Sequence, residues 1–262
     1  MTDNYKSLYN CIEAYTTSFC KVEEEDGFIR FSDEAIHDMY DHNYILMQPE
    51  TDVDDCQRII LEEIERRKAQ GETFCQAYLS SARQIEGVAQ MEFPIKPDIT
   101  NYVNCITTTP KDLKLVGRGD CMVRRVENPA MAEDRAAIEV ESYDSDFGAD
   151  FCRRKGKINA KVYMAEEGVD SYVCYVDGKP VGKADLMVHD GWAMIEDFDV
   201  VPSMQRKGIG TTILRVLVDE AMARGADNIV LVAYADDTAK DMYQKLGCTV
   251  IPGRTSLFFE WK

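Results

Sequence analysis

The reading of this chain turns on Phe198-Asp199-Val200-Val201-Pro202-Ser203-Met204-Gln205-Arg206-Lys207-Gly208-Ile209-Gly210-Thr211. A strand-like segment ends at Pro202, crosses a basic stretch with two glycines one residue apart, and opens into a helical run. Such a junction suits a pyrophosphate. The first N–H groups of a helix have no partner within it, and the aligned peptide dipoles place partial positive charge there. Gly208 and Gly210 lack a Cβ, so the backbone can curl close to phosphate oxygens, and Arg206 and Lys207 add full charge beside them. The stretch has neither the Gly-Lys-Ser/Thr ending of a triphosphate loop nor the third glycine of a dinucleotide fingerprint.

Working outward, Ile209, Ile213, Leu214, Leu217 and Ala221 recur at helical spacing up to a stop at Arg224-Gly225. Ile229 to Ala233 reads as a buried strand, Asp236 to Gly247 as a helix, and Cys248 to Trp261 as a terminal strand or hairpin. Upstream, Ser171–Val176 and Pro180–Val188 flank the hairpin turn Asp177-Gly178, and His189-Asp190-Gly191 turns again into Trp192–Val201. Met122–Val126 reads as a first strand, with helices over about 131–142 and 150–165.

Gln205-x-x-Gly208-x-Gly210, led in by Val200 and Pro202, resembles the acetyl-CoA-binding motif of the Gcn5-related N-acetyltransferase (GNAT) superfamily. Ala239, Tyr243 and Gly247 resemble its second motif, with Cys248 where phenylalanine is usual and Asp236 where many members have asparagine. The resemblance covers residues 119–262. It implies a GNAT fold, a mixed and mostly antiparallel sheet flanked by helices, and acetyl-CoA as co-substrate without a metal. By the same resemblance, Phe198, Asp199, Val200, Gln205, Arg206, Lys207, Gly208, Ile209, Gly210, Thr211 and Asp236 hold the cofactor. Tyr243 becomes the general acid toward the CoA sulfur.

Acetyl transfer to nitrogen needs a base, because a protonated amine cannot attack and amine pKa values lie near 8 or above 10. Glu196 lies on the strand entering the loop and is the candidate, on the same alternating face as Met194, Phe198 and Val200 if the strand is regular. The alternative is a carboxylate that only attracts the amine. Asp197 and Asp199 would then point the other way, although the family often has a bulge here. The carbonyl would be polarised by a backbone N–H near Val200.

The net charge of −17, with −11 in residues 1–115, argues against nucleic acid or an anionic membrane as a partner. No run of 18 apolar residues occurs, and the N-terminus lacks the basic start and apolar core of a secretory signal. Nine cysteines without a Cys-x-x-Cys pair read as reduced, and a cytoplasmic location is expected. Glu139, Glu141, Asp144, Asp146 and Asp150 crowd what the family resemblance makes a loop near the acceptor pocket. They suggest a cationic acceptor, or else a solvated acidic face.

Residues 1–115 read as a smaller α/β accessory domain that resembles a degenerate GNAT half, giving an α/β (α+β) chain overall. Helices are expected over about 5–20 and 52–70, and strands over 28–31, 74–79, 88–93 and 102–107. The half has only Gly27, Gly71 and Gly87, so no second cofactor loop is expected, and 109–120 reads as the linker. The expectation is an acetyl-CoA-dependent N-acetyltransferase acting on a small-molecule or protein amine, as a monomer or homodimer. The rival is a regulatory acyl-CoA-binding protein with a GNAT shell and no turnover.

Overall fold

The computed structural model describes residues 5–165 and 168–262. The elements are α1 (Lys6–Thr17), β1 (Lys21–Glu25), β2 (Phe28–Ser32), β3 (Tyr44–Met47), α2 (Val53–Ala69), β4 (Phe74–Leu79), α3 (Ala82–Gly87) and β5 (Asp98–Thr107). They continue as β6 (Cys121–Arg125), α4 (Pro129–Phe147), α5 (Ala149–Tyr163), β7 (Asp170–Val176), β8 (Lys179–His189) and β9 (Trp192–Val200). The chain closes with α6 (Ile209–Ala223), β10 (Asn228–Tyr234), α7 (Ala239–Leu246) and β11 (Thr249–Glu260).

All the strands form one sheet in the order β1-β2-β3-β4-β11-β5-β10-β9-β8-β7-β6. Among the described residues only β3–β4 and β9–β10 pair in parallel, so the sheet is mixed and mostly antiparallel. The sheet crosses the expected linker. β5 precedes residues 109–120 in sequence yet lies between β10 and β11, and β11 in turn lies between β4 and β5. Burial explains the exchange: Leu257 and Phe259 of β11 are buried with Ile60, Cys75 and Ala77 in the core under α2. A larger core gathers α1, the end of β5, α4, α5 and the elements from β7 to α7, with Leu8 and Cys11 in the same cluster as Met187, Trp192 and Met194.

Helix α2 matches its expected span, with Asp52 accepting from the Asp55 N–H and Arg66 to Lys68 in the last turn, as the helix dipole favours. The expected strand over 88–93 is not one. Ser81 and Gln84 form a reciprocal capping box that starts α3, and the chain continues as a 3-10 turn over Val88–Gln90. β1 and β3 were not anticipated, β1 because Lys-Val-Glu-Glu-Glu is an exposed edge and β3 because all four of its residues are buried. The acidic segment expected as a loop is helical: α4 runs to Phe147 and only Gly148, at φ 82°, separates it from α5.

Candidate active site

β9 and β10 pair through only three residues, ending at Met194 and Val230, and then diverge. A gap therefore opens in the sheet beside Ile195–Val200 and Leu231–Tyr234, and the glycine loop lies at the end of β9. Within β9, Asp185 pairs with Glu196 and Lys183 with Asp199, so two residues, Asp197 and Phe198, oppose Ala184 alone. This is a β-bulge, and Asp197 sits in it at φ 46°.

The bulge corrects the face assignment expected for a regular strand. A Cβ at Gly182 would meet Ile213 of α6 and Val200, and one at Gly210 would meet Phe198, so Phe198 and Val200 face α6. Glu196, paired with Asp185, faces the α1 side. Asp197 and Asp199 join it there rather than pointing the other way: Asp197 bonds Lys183 and Arg135, and Asp199 pairs with Lys183.

Val201 N–H donates to the Val181 carbonyl at 3.0 Å. Antiparallel alternation then turns the N–H and C=O of Val200 away from β8, toward the gap. The Val200 carbonyl accepts from Gln205 Nε2 at 2.9 Å, so Gln205 fastens the loop to the strand. After a 3-10 turn at Pro202–Met204, Arg206 and Gly208 adopt positive φ, 57° and 80°, and Gly208 is the N-cap of α6 with no side-chain cap. The first-turn N–H groups at Ile209, Gly210 and Thr211 are thus left without a capping side chain, while the Ile209 side chain is buried in the core. Gly210 has a packing role, since a Cβ there would lie 3.1 Å from Phe198 Cζ. Arg206 is exposed, and Lys207 Nζ donates back to the Ser203 carbonyl at 2.8 Å.

Arg118 was not anticipated at this site. Its Nη1 donates to the Lys207 carbonyl at 2.9 Å, its N–H donates to Thr212 Oγ1 at 2.8 Å, and its Cγ lies 3.3 Å from where a Gly208 Cβ would stand. The only hint in sequence was Gly117-Arg118-Gly119, read as linker. Arg118 Nε also donates to Asp120 at 2.8 Å, so this arginine braces the loop, while an uncapped helix start and a left-handed glycine beside Arg206 and Lys207 fit the pyrophosphate of a CoA-type ligand.

Across the gap, Tyr243 on α7 is 6% exposed, and its hydroxyl has no hydrogen-bond partner among the described residues. Burial first, then the neighbouring Glu196, pushes its pKa well above the ordinary tyrosine range. Glu196 is half-buried and its pKa rises to about 8, through burial and then through Asp197 and Asp41. Asp236 is exposed in the turn before α7. Asp199 keeps one buried carboxylate oxygen unpartnered.

Behind the bulge lies an ion network that sequence reasoning missed. Arg135 contacts both oxygens of Asp185 at 3.2 Å, donates to Ser171 Oγ at 2.7 Å, and bonds Asp197. Lys183 donates to the Asp197 carbonyl at 3.0 Å and to its carboxylate, and Lys155 bonds Glu139. Tyr15 of α1 donates to Asp185 at 3.0 Å, and the Arg135 guanidinium stacks 4.4 Å over the Tyr163 ring. Three cations thus face three anions in a buried space. Burial pushes Asp197 up, but Lys155, Lys183 and Arg135 outweigh it and hold the group well below the carboxylate range. The available signals were weak: Lys183 and Asp185 two apart in an apolar strand, and Arg135 and Glu139 four apart on a helix.

The model of the acetyltransferase (GNAT) family matches residues 129–248. No curated protein matches the chain. Among solved structures, a functionally unknown conserved protein from Staphylococcus epidermidis is 17% identical with a TM-score of 0.71, over 92% of this chain and 94% of that one. A GCN5-related N-acetyltransferase from Kribbella flavida is 15% identical with a TM-score of 0.68, over 97% and 93%. A tandem GNAT protein from the clavulanic acid biosynthesis pathway is 11% identical with a TM-score of 0.57, over 82% and 72%. At such identities the likeness is one of fold, and it extends through the N-terminal part of the chain. The splayed strands, the bulge and the uncapped glycine loop all fall within the matched segment, and residues 129–248 are a domain of the acetyltransferase (GNAT) family.

Proposed function

We propose that the protein is an N-acetyltransferase that carries the acetyl group of acetyl-CoA to a primary amine by direct attack within a ternary complex. The observation that carries the reading is the gap itself, where β9 leaves β10 at the end of the strand that feeds the glycine loop, with the half-buried Glu196 on that strand and the buried Tyr243 on α7 close enough to feel its charge. When bound, acetyl-CoA supplies an activated thioester. The N–H groups at the start of α6, with Arg206 and Lys207, would hold its pyrophosphate, Arg118 paired with Asp120 would brace the loop, and Gln205 keeps that loop docked on β9. The Val200 N–H, turned away from β8, would polarise the acetyl carbonyl.

Glu196 accepts the ammonium proton, directly or through a water. Its pKa of about 8 lies nearer that of an amine than an ordinary carboxyl does, so the transfer is less uphill, and the group is free to accept as pH approaches 8. Tyr243 keeps its proton to high pH and would give it to the departing sulfur. Chromatographic measurement of CoA released from acetyl-CoA across a panel of amines tests this reading. Turnover that depends on an amine is expected. Tight CoA binding without turnover on any small or protein amine would instead leave a binding protein with a GNAT shell.

A further inference from the structure

On the α1 side of the gap, the sheet carries a row of tyrosines that the proposed chemistry leaves unused. In the order β4-β11-β5-β10-β9, Tyr78 lies on β4, Tyr102 on β5, Tyr234 on β10 and Glu196 on β9. Tyr102 and Tyr234 are directly paired across their strands, with ring centroids 5.2 Å apart. Tyr78 reaches across β11 to bring its ring within 5.8 Å of Tyr102. Asp41, exposed on the 3-10 turn Tyr40–His42, accepts from the Tyr78 hydroxyl at 3.3 Å. That hydroxyl also accepts from Gln76 Nε2 at 2.8 Å, while Gln76, 5% exposed, keeps its Oε1 buried and unpartnered.

We propose that this wall is the acceptor subsite: Asp41, Tyr78, Tyr102 and Tyr234, beside Glu196, bind a primary ammonium ion carried on an apolar or polycationic body. The proposal rests on the N-acetyltransferase reading and adds where the amine sits and what recognises it. Tyrosine π-faces and carboxylates are the groups that attract a desolvated cation. The nearby Arg254 is paired with Glu13 at 2.6 Å, so its charge is already met. The outer end of the row is open, since Tyr234 is 51% exposed, as a ligand-facing wall requires and a packing ladder does not. Asp41 and Glu196 each oppose the ionisation of Tyr102 and Tyr234, which places both acids within electrostatic reach of the same rings. Most of the wall belongs to residues before 115, and this gives that part of the chain a role in choosing the acceptor.

The test uses the full-length protein with benzylamine and spermidine as probes and benzyl alcohol as the neutral counterpart. Asp41→Asn and Tyr234→Ala alter exposed side chains, so the fold should persist. Each is expected to raise the KM for both amines by about 3- to 30-fold, the span of one cation–π or ion contact. The KM for acetyl-CoA should stay within about two-fold. Wild-type amine KM values in both variants would overturn the proposal while leaving the acetyltransferase reading intact. If the wild type releases no CoA with any amine, that reading fails, and melting temperature then decides the subsite. Amines that stabilise the wild type but neither variant support the wall; equal shifts, or none in any of the three, overturn it.

Discussion

Replacing Glu196 with glutamine tests the electrostatics of the gap in a way that does not depend on knowing the acceptor. The carboxyl is lifted from its ordinary value of 4.5 to about 8, by burial first and then by Asp197 and Asp41. In the unfolded chain it ionises near 4.5, whereas in the folded protein it stays protonated until about pH 8. Below the unfolded value the group is neutral in both states and has no effect on folding. As pH rises between the two values, the unfolded state releases a proton that the folded state keeps, so stability falls, and the loss levels off above pH 8. At about 1.4 kcal/mol per tenfold change in proton affinity, the full loss has a ceiling near 5 kcal/mol. Water in the open gap screens the charge, and we expect about 2–3 kcal/mol. Denaturant unfolding of wild type and Glu196→Gln at pH 5 to 9 measures it, because titrating groups that do not interact with Glu196 cancel in the difference. The variant should gain on the wild type steadily across that range and hold its advantage at pH 9. Parallel stability curves would show that Glu196 titrates like an ordinary surface acid and would remove the physical basis for its role as base. In kinetics, the rise of kcat/KM with pH should flatten in the same variant and its plateau should drop.

Tyr243→Phe removes a hydroxyl that makes no hydrogen bond among the described residues, so stability should change by less than about 1 kcal/mol while kcat falls about 10- to 1,000-fold and acetyl-CoA affinity holds. Equal kcat would make the tyrosine a packing residue. Gly208→Ala forces a side chain into a left-handed position against Arg118; it should cost about 1–3 kcal/mol and shrink the rise in melting temperature that acetyl-CoA gives the wild type. An undiminished shift would move the pyrophosphate site elsewhere. Arg135→Met leaves Asp185 and Asp197 without a shared partner in a buried space and should destabilise the protein by about 3–5 kcal/mol in urea unfolding. A loss below about 1 kcal/mol would mean that the remaining lysines neutralise the cluster alone.

Local signals made the matched domain legible. The turn residues Asp177-Gly178 and Asp190-Gly191, the helix-spaced apolar run after Gly208 and the run Ile229–Ala233 each act over a few residues, so they set the meander and the units that follow it without help from the rest of the chain. The glycine loop and Tyr243 were readable for the same reason: a left-handed turn and a helix start are short-range structures. What decides the site beyond them is long-range. The bulge at Asp197 leaves Glu196 with Met194 on the α1 side and turns Phe198 and Val200 to the α6 side, a division that a regular alternation along β9 does not give. The Arg135 network and the tyrosine wall join residues separated by 50 positions or more, among them Arg135 with Asp185 and Tyr78 with Tyr234, and depend on helix docking and strand order. The insertion of β5 beside β10 is likewise invisible in composition, because a strand's neighbours are chosen by which apolar faces can be buried together. The sequence alone determined most elements of the matched domain and its glycine turn; tertiary packing decided which acids, cations and tyrosines meet at the gap, since a buried charge is stable only where distant partners reach it.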